Sequence, residues 1–173
     1  MKQLTLFAMI IASALFVLPS CQKTESTAQT AELNMDSVKA QITMLEDGYA
    51  KASNAKDVEG VAAYYANDAE SLANNEPTRV GIDAIKAGIK REMDTDSSGS
   101  TIAFATTGVW ADGKYATETG TITVTDKDGK VKSTGKYMTL FELRDGKYVA
   151  IRDIWNDDAP HNASPMAEAV KSE

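Results

Sequence analysis

The stretch TIAFATTGVWADGKYATETGTITVTDKDGKVKSTGKYMTLFELRDGKYVAIRDIWN, residues 101–156, decides the fold. Within it Asp112-Gly113, Asp128-Gly129 and Asp145-Gly146 recur at near-equal intervals, between runs rich in Thr, Val, Ile and aromatic residues. An Asp-Gly pair tolerates the positive φ angles of a two-residue type I′ turn, so each marks a hairpin. Three in succession give a four-stranded antiparallel meander. The segment 114–127, laid flat at ~3.3 Å per residue, would run about 45 Å, too long for a domain of this size, so the sheet must curve. Gly120 and Gly135, each in mid-strand, are the expected sites of a bend or bulge. A curved sheet has a concave face, and that face must be filled.

Upstream of the meander the pattern is helical. Val38, Ile42, Leu45, Tyr49 and Ala52 recur at spacings of three and four over Met35–Asn54, with Asn34 or Asp36 as cap. Asp57 reads as the cap of a second helix over 58–65. A short strand over 69–73 and a loop containing Pro77 precede a third helix over 82–93, with Ile82, Ile85, Ile89 and Met93 on one face. Helices segregated before strands predict an α+β domain over 34–158, with three N-terminal helices packed into a strongly curved antiparallel sheet.

Residues 1–20 read as an export signal. Lys2 precedes an uncharged apolar run over 4–18, shorter than a typical membrane-spanning helix, and Leu18-Pro19-Ser20-Cys21 follows. That ending resembles the lipobox of bacterial lipoproteins, which implies a lipid on Cys21 and anchorage to a bacterial membrane, on the periplasmic side or at the cell surface. The alternative is an ordinary secretory signal with an incidental cysteine. Cys21 is the only cysteine in the 173 residues, so no internal disulfide can form. The polar segment 21–33 reads as a flexible tether and 159–173 as a mobile tail. With 18 basic and 25 acidic residues the chain has a net charge of −7, which argues against nucleic acid as a partner.

The order of elements, together with Tyr49-Ala50-Lys51-Ala52-Ser53-Asn54-Ala55-Lys56-Asp57-Val58-Glu59-Gly60, Tyr65-Ala66-Asn67-Asp68-Ala69, Gly81-Ile82-Asp83-Ala84-Ile85, Asp145-Gly146-Lys147-Tyr148 and Arg152-Asp153-Ile154-Trp155-Asn156, resembles the SnoaL-like branch of the nuclear transport factor 2-like superfamily. The resemblance implies a ketosteroid-isomerase-like fold with a cone-shaped pocket and, commonly, a homodimer formed through the sheet. It implies a pocket face that includes the last-strand positions Ile151, Asp153 and Trp155. Tyr49 sits where the isomerases of the superfamily carry an oxyanion-stabilising tyrosine. Ala73 sits where they carry a carboxylate base, so the same isomerase arrangement is not expected. Fold does not settle function, because the superfamily includes isomerases, cyclases, dehydratases and transport adaptors.

Counting outward from two-residue turns pairs Trp110 with Tyr115, Thr119 with Met138, Leu140 with Ile151 and Met138 with Asp153. Side chains alternate along a strand, so the expected pocket face holds Phe104, Trp110, Tyr115, Thr117, Thr119, Met138, Leu140, Ile151, Asp153 and Trp155. The opposite face holds Glu118, Tyr137, Thr139, Phe141, Arg152 and Ile154. Among apolar neighbours Asp153 would be poorly solvated and suited to proton transfer, with Tyr49 as its second candidate partner. Equally, Asp153 can be an ionised group near the rim, and Tyr49 a core aromatic. His161, the only histidine, lies in the tail, so no His-based triad or His-rich zinc site can assemble, and no Gly-rich phosphate loop is present. The expectation is a domain that binds a small, largely apolar molecule without a cofactor or metal. The alternatives are an isomerase, cyclase or dehydratase using Asp153 as acid and base, or a homodimeric protein-interaction module.

Overall fold

Asn34 starts the first helix: its side-chain oxygen accepts from the Ser37 N–H at 3.0 Å, satisfying one amide that a helix start leaves unpaired. The computed structural model describes residues 33–159, all within the unit Glu32–Glu173 of the two into which the chain divides. The expected signal segment, Cys21, almost all of the tether and almost all of the tail lie outside the described residues. Helix α1 (Met35–Asn54) buries Val38, Ile42 and Ala52 and partly covers Leu45 and Tyr49, as the spacing predicts. Glu46 is buried in the same stripe. A left-handed backbone at Lys56, φ 55°, ends α1, and Asp57 caps α2 (Val58–Ala62) by accepting from the Gly60 N–H at 2.9 Å. Among the described residues no helix is long and apolar enough to cross a membrane.

Helix α2 stops earlier than expected. The Tyr64 carbonyl accepts from the Ala150 N–H at 2.9 Å, which draws the chain into strand pairing, so Tyr65 opens β1 (Tyr65–Leu72) rather than closing a helix. The two-residue β2 (Arg79–Val80) folds back on β1, and α3 (Ile82–Thr95) buries Ile85, Gly88 and Ile89. The meander follows as β3 (Thr101–Ala111), β4 (Tyr115–Thr125), β5 (Val131–Arg144) and β6 (Lys147–Asp157). The six strands form one curved, unclosed sheet in the order β2-β1-β6-β5-β4-β3, parallel only between β1 and β6. The core lies between helices and sheet, with Val38, Ile42, Val61 and Ile85 meeting Ala116, Phe141 and Ala150. This is the α+β arrangement the element order predicts.

The registers depart from the simple count, and the departures decide which side chains face inward. Only Asp145-Gly146 makes the expected two-residue turn, with φ 50° and 79°. At the first turn Asp112 pairs with Tyr115 through a backbone bond of 3.0 Å, so Trp110 faces Thr117 rather than Tyr115. At the second, Asp126 pairs with Lys130 around a three-residue loop, and Lys132 then bulges out of β5; the two irregularities cancel, restoring Thr119 opposite Met138. Thr107 bulges out of β3. Ile151 bulges out of β6, so that Thr139, not Met138, stands opposite Asp153.

A bulge inserts one residue and so reverses the facing of everything beyond it. The inner face therefore holds Phe104, Glu118, Tyr137, Thr139, Phe141, Asp153 and Trp155. Thr117, Thr119, Met138, Leu140 and Trp110 are on the outer face. No extra residue sits at Gly120 or Gly135. They are glycine because neighbours come too close for a Cβ, which would lie 2.3 Å from the Tyr137 ring and 2.6 Å from the Asn156 carbonyl oxygen.

Candidate functional site

The concave face, α1 and β1 enclose a cavity of about 450 Å³, within the usual range for small-molecule sites. Helix α1 contributes Glu46 and Tyr49, the α2–β1 junction Tyr64 and Tyr65, and the sheet Phe104, Tyr137, Thr139, Asp153 and Trp155. The aromatic rings meet edge to face: Tyr49 lies 5.1 Å from Tyr64 and 5.3 Å from Phe104, and Phe104 lies 5.4 Å from Tyr137. Arg79 also lines the cavity, with its guanidinium paired to Glu92 and, at 2.8 Å, to Glu76.

Of the residues expected here from sequence, Asp153, Tyr49, Phe104 and Trp155 line the cavity. Trp110, Tyr115, Thr117, Thr119, Met138 and Leu140 do not. The alternation along β3, β4 and β5 carries them to the outer face, where Trp110 is 60 % and Met138 48 % exposed. Ile151 is the bulged residue and packs against the core. Ala73 is buried outside the lining, between Ser71 and Asn74, which do line it. The set expected on the opposite face is split. Glu118 and Thr139 are buried on the inner face, whereas Arg152 faces out and pairs with Glu70 at 3.0 Å.

Asp153 accepts from the Tyr65 hydroxyl at 3.2 Å through Oδ2, and its buried Oδ1 makes no hydrogen bond. Burial pushes its carboxyl up to about 6, partly offset by Ser71, Tyr65 and Arg79 and reinforced by Glu92. It therefore titrates close to neutrality, where a carboxyl can both take and return a proton.

Deeper in lies a second carboxyl system. Tyr64 donates to Glu46 and lies 3.2 Å from the Thr139 hydroxyl. Oε1 of Glu118 accepts from Thr106 at 2.6 Å and Tyr137 at 2.9 Å, while its buried Oε2 has no partner. Burial first, and the Glu118 carboxyl second, push Glu46 up to about 9, so it keeps its proton at neutral pH. Burial also raises Tyr49, Tyr64, Tyr65 and Tyr137 above the ordinary phenol range, so all four remain hydroxyl donors.

Sequence reading missed Glu46, Glu118, Tyr64, Tyr65, Tyr137 and Thr139. A signal existed for Glu46, which follows Ile42 by four and so falls on the buried stripe of α1. None existed for Glu118, Tyr137 and Thr139, whose facing turns on bulges. Among the described residues no group of three or more His, Cys, Asp or Glu could hold a metal ion.

Comparison with solved structures supports the architecture. A Nostoc punctiforme protein of unknown function with a cystatin-like fold is 18% identical, with 78% of this chain and 97% of that one covered and a TM-score of 0.66. A nuclear transport factor 2-like protein with a cystatin-like fold from Novosphingobium aromaticivorans is 20% identical over 86% and 97% of the two chains, TM-score 0.64. A ketosteroid isomerase-like protein from Erwinia carotovora atroseptica is 21% identical over 70% and 96%, TM-score 0.59. At these identities the likeness establishes the fold alone. A search of curated proteins finds no match. The family model for the SnoaL-like domain matches residues 46–151, a span running from the buried Glu46 of α1 to the bulge of β6, and on that match the chain belongs to the SnoaL-like domain family.

Proposed function

We propose that the domain binds a small, largely apolar molecule in the cavity, with Asp153 as its orienting polar group. One observation carries this reading: an aromatic-lined space of about 450 Å³ contains a buried carboxyl oxygen, Asp153 Oδ1, with no partner in the protein. An unmet buried acceptor is costly unless something bound there satisfies it. The reading is tested with the Trp110→Phe chain, whose remaining tryptophan, Trp155, lines the cavity. Titration with 1-decalone, a non-fluorescent bicyclic ketone, is expected to change Trp155 emission saturably. A response that stays flat up to the probe's solubility contradicts the reading.

A second reading, an isomerase, cyclase or dehydratase, is favoured by the elevation of Asp153 to about 6 beside the Tyr65 hydroxyl. In that role Asp153 shuttles a proton at a carbon next to a carbonyl, and a protonated tyrosine holds the developing oxyanion. Tyr65 makes the observed bond to Asp153, and Tyr49 stands beside it, 6.3 Å away between ring centres. Exchange of the α-hydrogens of 1-decalone in D₂O, followed by NMR, tests this. Exchange catalysed by the wild type and lost in Asp153→Asn supports it, and exchange equal in both removes it.

For location and assembly we propose export, lipid attachment at Cys21 and a homodimer formed through the outer sheet face. The apolar run over 4–18 ahead of Cys21 supports the first two. Exposure of Trp110, Met138 and Ile154 supports the third. Radiolabelled palmitate incorporated by the wild type and not by Cys21→Ser checks the anchor. Sedimentation of the wild type against Met138→Glu checks the dimer.

A further inference from the structure

We propose that the molecule held in the cavity is an organic cation, an ammonium group carried on an aromatic or alicyclic body. This rests on the reading of the cavity as a small-molecule site and names the chemical class that it takes.

The argument begins with the hydrogen-bond protons of the wall. Tyr64 spends its hydroxyl proton on Glu46, Tyr65 on Asp153 and Tyr137 on Glu118. Among the described residues three buried side-chain atoms are left without a partner: Asp153 Oδ1, Glu118 Oε2 and Arg79 Nε. Two of them are acceptors, of which Asp153 Oδ1 belongs to a cavity-lining residue, as does the donor Arg79 Nε. The third is a donor on a guanidinium already bonded to Glu76 and Glu92 and packed over Gly88 of α3. At Asp153 an acceptor on the ligand would meet an acceptor, whereas an N–H donor there satisfies Oδ1.

Charge points the same way. Besides Glu46, which keeps its proton at neutral pH, Glu76, Glu92, Asp153 and Asp157 line the space, and among the described residues Arg79 is the only basic side chain that does. Arg79 is already paired with two carboxylates, which offset its charge before any anion arrives. The aromatic rings add a third term, since the negative face of a π-system attracts a cation, most strongly where water is excluded. A carboxyl oxygen without a donor at Asp153, four acidic side chains against one guanidinium and a cluster of tyrosine and phenylalanine rings together describe a site for an amine.

The test is isothermal titration of the full chain with three ligands that share a ring system and differ in charge. These are tryptamine (cation), tryptophol (neutral) and indole-3-propionate (anion), with 1-decalone as a cavity control. Tryptamine is expected to bind at least tenfold tighter than tryptophol, and indole-3-propionate weakest. Tryptophol or indole-3-propionate binding as tightly as tryptamine overturns the inference and leaves the cavity reading standing. So does 1-decalone binding with all three indoles silent. If all four are silent, both fall. In Asp153→Asn the preference for tryptamine over tryptophol is expected to collapse towards one, and a preference that persists in a folded variant overturns the assignment.

A wild-type titration at pH 5 makes the same comparison without mutation. The groups around Asp153 are Tyr65, Ser71, Arg79 and Glu92, with Tyr49 and Glu46 facing it from α1, and its own carboxyl, at about 6, is mostly protonated there. The tryptamine preference is expected to fall severalfold between pH 7 and pH 5; an unchanged preference contradicts the proposal.

Discussion

Along β5, Tyr137, Thr139 and Phe141 are buried on the inner face, while Met138 stands exposed and Leu140 half-buried on the outer face. The two sets are interleaved one residue apart and differ little in hydrophobicity, yet one walls a cavity and the other meets solvent. On hydrophobic grounds alone Met138 and Leu140 suit the interior at least as well as Thr139. Partners on the neighbouring strands separate the sets. Thr139 stands opposite both Glu118 and Asp153, and with Tyr64, Tyr65 and Tyr137 these make a hydrogen-bonded wall on the concave face. The concave face is thus selected by polar groups satisfying one another as much as by apolar burial.

The contrast can be broken most forcefully at Phe141, which is 0 % exposed. Phe141→Ala is expected to cost about 3–5 kcal/mol of stability, whereas Met138→Ala on the outer face should cost about 0.5 kcal/mol or less, both measured by urea denaturation. Comparable losses at the two positions would reverse the assignment of faces.

Gly120 gives the next largest effect. A methyl there would press on the Tyr137 ring that bonds Glu118, so Gly120→Ala is expected to cost about 1–3 kcal/mol. At Gly113 the backbone has φ 98° but there is open space around it, and Gly113→Ala should cost about 1 kcal/mol. The same denaturation series ranks the two.

The pH dependence of stability sharpens the comparison, because both raised carboxyls lie on the inner side. Glu46 is lifted from 4.5 to about 9 and Asp153 from 3.8 to about 6, so the folded state holds protons that the unfolded chain releases. Their contribution is complete below the unfolded values and is lost as pH rises through the folded ones. Thermal midpoints are therefore expected to fall between pH 5 and pH 9, and Glu46→Gln should flatten that decline. Asp153→Asn should flatten only the part below about pH 7. The smallest effect is expected from Tyr65→Phe, which removes a hydrogen bond that holds the Asp153 carboxyl down and so should raise its midpoint, read by NMR titration.

Much of this architecture is legible in the sequence. The stripe from Val38 to Ala52, the cap at Asp57 and the Asp-Gly turns are local signals, and each formed an element close to its expected place. The parallel pairing of β1 with β6 was not legible, since nothing in residues 65–72 announces a partner so distant in sequence. The site was half legible for a physical reason. Asp153, Trp155 and Phe104 reached the cavity, but the expected neighbours of Asp153 did not, because the bulge at Ile151 exchanges Met138 for Thr139 opposite it. A bulge is one residue with no composition of its own, and here it is set by which side chains must be buried beyond it. Glu46 could have been found, as a carboxyl in the middle of an apolar stripe is an anomaly that asks for a buried partner.

The central claim is that Asp153 is buried in an acid-rich cavity with an unmet oxygen, and its own titration tests that most directly. In carboxyl-carbon NMR across pH 3–9 its midpoint is expected at about 6. A midpoint at or below about 4, the value of an ordinary solvated aspartate, would mean that the group is hydrated or paired, and would contradict the account.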